Sequence, residues 1–156
     1  MIRAGDVAPS FSLDGVDGDG ENRRSFSLAD CRGAPVVLVF YPADNSAVCT
    51  MQLRSYTDDI GAFAAVGAKV YAISPQSVDA HAEFARRNDG FAFPLLSDAD
   101  KSVGRAYGIL GPIGFYRRSV IVVDGDGIVR WAHRAAAGLT FRPVDEIVAA
   151  VRAIDG

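Results

Sequence analysis

The chain has 156 residues, of which 49% are hydrophobic, and a formal net charge of -3 at pH 7. A chain of this length buries about two-thirds of its unfolded surface, so we expect one domain over residues 1–156. The small net charge and scattered basic residues argue against nucleic acid as a partner, and the apolar runs are far shorter than the roughly 20 residues that span a bilayer. With no secretion-type segment at the N-terminus, the sequence predicts a cytoplasmic protein with no membrane partner.

Two short strand patterns near the N-terminus flank a segment rich in Gly and Asp. They cover residues 11–13 and 25–28, with residues 14–22 between them. The acidic residues of this segment lack the alternating spacing and closing Glu of a calcium loop, and no helix follows as in a dinucleotide-binding turn. The segment therefore predicts an N-terminal β-hairpin, with no metal and no cofactor.

A thiol follows the most continuous apolar run of the chain. Residues 36–41 form this run, and Cys49 comes shortly after it, at the start of a helical pattern. A cysteine at a helix N-terminus meets unpaired backbone N–H groups and the positive end of the helix dipole, which both favour the thiolate. Because the thiolate is the nucleophilic form, Cys49 is the candidate nucleophile. Ser46 is the candidate N-cap of this helix and a candidate hydrogen-bond partner of the thiolate.

Strand and helix patterns alternate along the rest of the chain. In order they predict a helix over 51–66, a strand over 70–74, a second helix opened by Ser77, a short strand and helix within 93–107, a strand over 119–123, a turn at 124–127, a strand over 128–133 and a terminal helix over 143–154. A parallel βαβ half followed by an antiparallel hairpin and a closing helix is the thioredoxin-like plan. We expect an α/β fold with a central mixed sheet flanked by helices.

Five motifs occur in the order found in one family of thiol enzymes. They are Val-Val-Leu-Val-Phe-Tyr-Pro, Ser-x-x-Cys-Thr, Phe-x-Phe-Pro-Leu-Leu-Ser-Asp, Arg-Ser-Val-Ile-Val-Val-Asp and Gly-Ile-Val-Arg. On this ordered set the chain resembles the peroxiredoxins, above all the branch that includes bacterioferritin comigratory protein and related one-cysteine bacterial enzymes. The resemblance implies reduction of hydrogen peroxide or organic hydroperoxides through a cysteine sulfenic acid. It also implies an external thiol or redoxin as reductant, and a monomer or homodimer.

The resemblance extends to three residues around the nucleophile. Pro42 lacks an N–H and has a fixed φ, so it can shape the loop over the thiol and limit water. Arg118 lies six residues before Asp124, where the resemblance places an arginine that approaches the sulfur. A permanent cation there favours the thiolate. Arg117 is the alternative, but adjacent strand residues point to opposite faces, so only one of the two can face the site. The predicted catalytic set is Cys49, Ser46, Pro42 and Arg118.

The chain departs from the pattern of this branch at three positions. Val48 places a β-branched side chain beside the thiol, in a segment that often reads Thr-Pro-Gly-Cys in the branch. Gln52 stands where Glu is usual, and Arg54 stands where part of the branch has a resolving cysteine. The local disulfide partner is therefore missing. Because Val48 places its β-branched side chain beside the thiol, we expect the access of peroxide to Cys49 to be narrower.

The second cysteine is not expected to replace the missing partner. Cys31 precedes the strand over 36–41 and Cys49 follows it, so the two thiols are expected at opposite ends of an element roughly 20 Å long. A disulfide needs Cα atoms within about 7 Å. Cys31 is most simply a small apolar residue, and we expect a one-cysteine enzyme.

Other thiol chemistries fit the sequence less well. A dithiol oxidoreductase needs Cys-x-x-Cys, and a thiol phosphatase needs five residues between its cysteine and arginine, whereas four separate Cys49 from Arg54. A cysteine hydrolase needs a histidine base. His81 reads as a partly buried surface residue of a helix, and His133 has no motif around it. Tyr41 either lines the pocket or belongs to the core. A non-enzymatic redox sensor or binding module of the same fold remains the alternative.

Overall fold

The computed structural model describes residues 2–135 and 140–155, without the side chain of Asp155. The strands are β1 (Ser12–Val16), β2 (Arg24–Ser27), β3 (Val36–Phe40), β4 (Lys69–Ser74), β5 (Leu95–Ser97), β6 (Ser119–Val123) and β7 (Val129–Arg134). The helices are α1 (Ala47–Asp58), α2 (Ile60–Ala65), α3 (Val78–Arg87), α4 (Ser102–Ala106) and α5 (Val144–Arg152), with short 3-10 helices at Leu28–Cys31 and Ala153–Asp155. Within these residues, no helix has the length and apolar content needed to cross a membrane.

The strands form one mixed sheet in the order β2-β1-β5-β4-β3-β6-β7. At its centre β3 and β4 run parallel, with α1 and α2 as the crossover between them, and β6 pairs antiparallel with β3. A hairpin joins β6 to β7, and another joins β1 to β2. The expected mixed sheet and N-terminal β-hairpin are therefore confirmed.

Strand β3 is the centre of the core, and it separates two apolar layers. All five of its residues are buried, which explains why it reads as a continuous apolar run rather than an alternating one. Val37 and Val39 pack into the layer that contains α1, α2, α3 and α5. Leu38 and Phe40 pack into the opposite layer, with α4 and the first 3-10 helix. Alternate side chains of one strand thus define the two faces of the sheet.

Two local predictions are wrong. Strand β1 continues through Val16 instead of turning at residue 14, because β1 also pairs with β5. Gly15 permits this approach, since a Cβ there would lie 2.5 Å from the Leu95 carbonyl oxygen. The helix predicted over 51–66 is two helices divided at Asp59.

Candidate active site

The site is built where the chain leaves β3 and enters α1. Cys49 is the third residue of α1, and its side chain is fully buried. Its backbone N–H donates to Ser46 Oγ at 3.1 Å, so Ser46 is the N-cap of the helix. The Thr50 hydroxyl donates to the Ser46 carbonyl at 2.8 Å and tightens the same turn. These bonds hold the thiol in the first helical turn, where the helix dipole favours a negative charge.

An arginine that immediately precedes β6 reaches the sulfur from the other side. Arg118 precedes β6, is 3% exposed, and places Nη2 3.2 Å from Cys49 Sγ. The adjacent Arg117 points away, and its Nε donates to the Ala135 carbonyl at 2.9 Å. These two neighbouring side chains, in the segment that leads into β6, thus point in different directions, and only Arg118 reaches the thiol. A buried cation at this distance stabilises a thiolate over a thiol.

Sequence reasoning missed the side chains that hold this arginine. Arg118 Nη1 donates to Gln52 Oε1 at 2.7 Å, and Gln52 Nε2 donates to the Tyr56 hydroxyl at 3.3 Å. Tyr56 donates in turn to the Arg142 carbonyl at 2.6 Å. Cys49, Gln52 and Tyr56 lie on the buried face of α1, at helical spacing. The spacing alone would have placed Gln52 beside Cys49, but a polar side chain gave no reason to place it in the core.

A second buried network anchors the loop that precedes the thiol. The Tyr41 hydroxyl donates to Asp44 Oδ1 at 2.7 Å, and His81 Nδ1 lies 2.7 Å from Asp44 Oδ2. His81 Nε2 lies 2.9 Å from the Leu96 carbonyl, so both ring nitrogens face acceptors. Asp44 therefore links the Tyr41 hydroxyl to the His81 ring, and the Leu96 carbonyl holds the far side of that ring. Burial, with the charges of Asp44 and Cys49 adding to it, raises the pKa of Tyr41 well above its ordinary range and keeps it a donor.

The expectation for His81 was wrong, because its side chain is fully buried rather than partly exposed. The helical pattern around it was correct, with Ser77 as the N-cap of α3. The error arose because the carboxylate that makes burial possible lies 37 residues away along the chain. The other histidine, His133, lies on β7 and stacks against Trp131.

The remaining predicted residues have simple positions. Pro42 is half-buried at the exit of β3, between the buried Tyr41 and Asp44. Asn45 takes a left-handed φ of 63°, which turns the loop towards α1. Arg54 donates to the carbonyls of Asn88, at 2.6 Å, and of residue 90, at 2.9 Å. Arg54 therefore fastens α1 to the end of α3.

The two cysteines lie on opposite faces of the sheet. Both are free and buried. Cys49 belongs to the layer that contains Val37 and Val39, whereas Cys31 belongs to the layer that contains Leu38 and Phe40. The sheet itself separates the two thiols, so a bridge between them requires unfolding.

Comparison with known proteins gives consistent results. Residues 4–132 match the model of the AhpC/TSA family. A Mycobacterium tuberculosis protein that is named as a peroxiredoxin is 42% identical over 133 residues, and the match covers 81% of each chain. The chloroplastic peroxiredoxin Q of Oryza sativa subsp. japonica is 33% identical over 136 residues, which cover 85% of this chain and 59% of that protein.

Solved structures match over nearly the whole chain. Peroxidoxin BcpB from M. tuberculosis has a TM-score of 0.83 at 31% identity, and the match covers 99% of both chains. M. tuberculosis AhpC has a TM-score of 0.90 at 22% identity, with coverage of 100% of this chain and 94% of that one. The second match bears on the fold alone, and it confirms the thioredoxin-like arrangement.

Proposed function

The chain belongs to the AhpC/TSA family and is a thiol-dependent peroxidase of the peroxiredoxin type, and on that premise we propose that Cys49 is its nucleophile. The similarity to peroxiredoxin Q and to BcpB supports the branch that includes bacterioferritin comigratory protein. The observation that carries the assignment of the nucleophile is the 3.2 Å contact between Arg118 Nη2 and Cys49 Sγ.

In the first step the Cys49 thiolate attacks one peroxide oxygen and the O–O bond breaks. Sulfur is oxidised to the sulfenic acid, and the other oxygen leaves as hydroxide or alkoxide, which takes up a proton. Arg118 stabilises the thiolate and the charge that moves to the leaving oxygen. The Ser46 hydroxyl orients the peroxide, and Pro42 limits the access of water to the loop.

In the second step an external thiol reduces the sulfenic acid. The reductant thiol forms a mixed disulfide with Cys49, and water is released. A second reductant thiol then attacks this mixed disulfide, which regenerates the Cys49 thiol and releases a disulfide of the two reductant thiols. The sheet between Cys31 and Cys49 supports this one-cysteine cycle. Two free cysteines fit a reducing compartment such as the cytoplasm, which supplies thiol reductants. A monomer or homodimer is the assembly we expect.

The test compares Cys49→Ser with Cys31→Ser in the full chain. Peroxide consumption is measured with a small dithiol as reductant, and we expect Cys49→Ser to abolish turnover while Cys31→Ser retains it. After one equivalent of peroxide, mass spectrometry with a sulfenic-acid trap should label Cys49. A predominant bridge between the two cysteines within one chain would overturn the one-cysteine cycle. A single stoichiometric oxidation without turnover would instead favour the redox sensor.

A further inference from the structure

Two side chains of α1 hold the segment that joins α3 to β5. Arg54 Nη1 donates to the carbonyl of Asn88 at 2.6 Å and to the carbonyl of Gly90 at 2.9 Å. Three residues further along α1, Thr57 Oγ1 accepts from the Ala92 N–H at 3.2 Å. We call these three hydrogen bonds the α1 clamp. The clamp joins the helix that carries the thiol to a neighbouring part of the fold.

The arginine of the clamp meets the end of a helix. α3 ends at Arg87 with Asn88 as its C-cap, and Asp89 and Gly90 then take left-handed φ angles of 58° and 81°. The last carbonyls of a helix have no intrahelical partner, and they lie at the negative end of the helix dipole. A guanidinium is therefore well matched to this corner, and its hydrogen bonds there are stronger than those of a neutral donor.

The buried side of α1 is also fixed. Gln52 accepts from Arg118 at 2.7 Å, and the Tyr56 hydroxyl donates to the Arg142 carbonyl at 2.6 Å. Together with the clamp, these bonds hold α1 on two sides from its second turn onwards. Movement of the whole helix away from the sheet would break all of them.

The clamp begins where release of the thiol would end. Cys49 is fully buried, so its sulfur reaches the protein surface only if the start of α1 unwinds. In an α-helix the carbonyl of one residue accepts from the N–H four residues later, so freeing Cys49 loosens the chain as far as Leu53. Arg54 is the next residue. Because helical turns form and melt cooperatively, an anchor at Arg54 opposes release of the turn before it.

The peroxidase cycle requires access to this sulfur twice. After the peroxide has reacted, a reductant sulfur must form an S–S bond with Cys49 while the S–O bond breaks and the oxygen leaves as water. A second reductant thiol then regenerates the Cys49 thiol and releases a disulfide. A thiol of low mass can follow the path of the peroxide into the pocket. A thiol on the surface of a folded protein cannot follow it, because the body of that protein meets α1 first.

We propose that the α1 clamp keeps α1 folded throughout the cycle and thereby selects the reductant, which is a thiol of low mass rather than a dithiol protein. The proposal rests on the proposed function of Cys49, and it gives Arg54 a role in reductant specificity. A role in stability alone would change the rates with both classes of reductant together. The clamp changes the ratio of the two rates.

The first test compares two reductants of the wild-type sulfenic acid. Cys49 is oxidised with one equivalent of peroxide and mixed with dithiothreitol or with thioredoxin, and mass spectrometry of quenched samples gives each second-order rate constant. The reactive cysteine of thioredoxin has a pKa of about 7, against about 8.5 for a free cysteine, so thiol chemistry alone would make thioredoxin the faster reductant. We expect thioredoxin to be slower by about tenfold or more, because it reacts only with the fraction of molecules in which α1 is open.

The second test removes the clamp. Arg54→Met keeps an apolar stem without the two hydrogen bonds, and it should raise the rate constant with thioredoxin about tenfold while changing that with dithiothreitol by less than about threefold. Amide hydrogen exchange over α1 should become faster, with exchange in β3 unchanged. Arg87→Met is the matched control, because Arg87 lies at the same end of α3, is 62% exposed and pairs with Glu83 at 2.7 Å. It should leave the ratio of the two rate constants unchanged.

The outcomes separate the proposal from the function on which it rests. Wild-type sulfenic acid that thioredoxin reduces as fast as dithiothreitol does overturns the proposal. A folded Arg54→Met variant whose ratio stays within about twofold of the wild type also overturns it, as does an equal change in Arg87→Met. If Arg54→Met does not fold, as judged by its thermal transition, Thr57→Val decides. It removes the other side chain of the clamp with little change in shape and should raise the ratio about threefold, and an unchanged ratio overturns the proposal. Turnover that survives in Cys49→Ser would defeat the proposed nucleophile instead, whatever the reductant.

Discussion

Replacing Arg118 by Ala tests the electrostatic core of the site. A hydrogen bond to a charged group contributes about 1.5–3 kcal/mol, and two unit charges about 4 Å apart interact by about 4 kcal/mol at an effective dielectric of about 20. The observed contact of 3.2 Å is of this kind, and the guanidinium is 3% exposed, so solvent screens it weakly. A loss of about 2–4 kcal/mol predicts a fall in kcat/KM of roughly 30- to 1,000-fold. Initial rates of peroxide consumption, measured with saturating reductant, check this range.

Two variants make that result specific. Arg117→Ala removes the neighbouring charge, whose side chain binds the Ala135 carbonyl, and should change kcat/KM by less than about threefold. Arg118→Lys keeps the charge but lacks the planar fork that reaches both Cys49 and Gln52, so it should recover only part of the loss. The reasoning is refuted if a folded Arg118→Ala enzyme stays within about fivefold of the wild type, or if Arg117→Ala loses as much.

Two further predictions concern the buried networks. His81→Ala should lower the free energy of unfolding by about 3–5 kcal/mol in a denaturant titration, because it leaves the Asp44 carboxylate buried without its partner. Asp44→Asn should cost only about 1 kcal/mol, since an amide can still accept from Tyr41 and donate to the His81 ring. Equal losses in the two variants would show that retained hydrogen bonds do not protect this buried network. The pKa of Tyr56 is about 12 in the folded state and about 10 in the unfolded state. The protonated hydroxyl therefore contributes fully to the free energy of unfolding below about pH 10, and this contribution is lost as the pH rises through about 12. Tyr56→Phe should therefore lose about 1 kcal/mol less stability than the wild type between about pH 9 and pH 11, and an equally steep loss in both would contradict the cause given.

Local signals in the sequence were enough to place the proposed nucleophile at the start of its helix. An apolar run followed by a cysteine at the start of a helical pattern reports on residues close in the chain, and Ser46 is the N-cap for the same local reason. The expectation that neighbouring side chains of an extended segment face opposite ways favoured Arg118 over Arg117, and Arg118 is the one that contacts Cys49, although both residues lie just before β6. The mixed sheet and the N-terminal hairpin followed from periodicity and turn residues.

Only the tertiary structure showed what surrounds the proposed nucleophile. His81 is buried because Asp44 meets it across 37 residues, and nothing near His81 in the chain predicts this partner. Gln52 was visible as a departure, but its role depends on Arg118, which lies 66 residues away. Patterns of apolar residues indicate which faces are buried, and they carry no information about which polar groups are buried together. A buried polar side chain is stable only when its partners are in place, and those partners are brought together by the packing of the whole sheet and its helices.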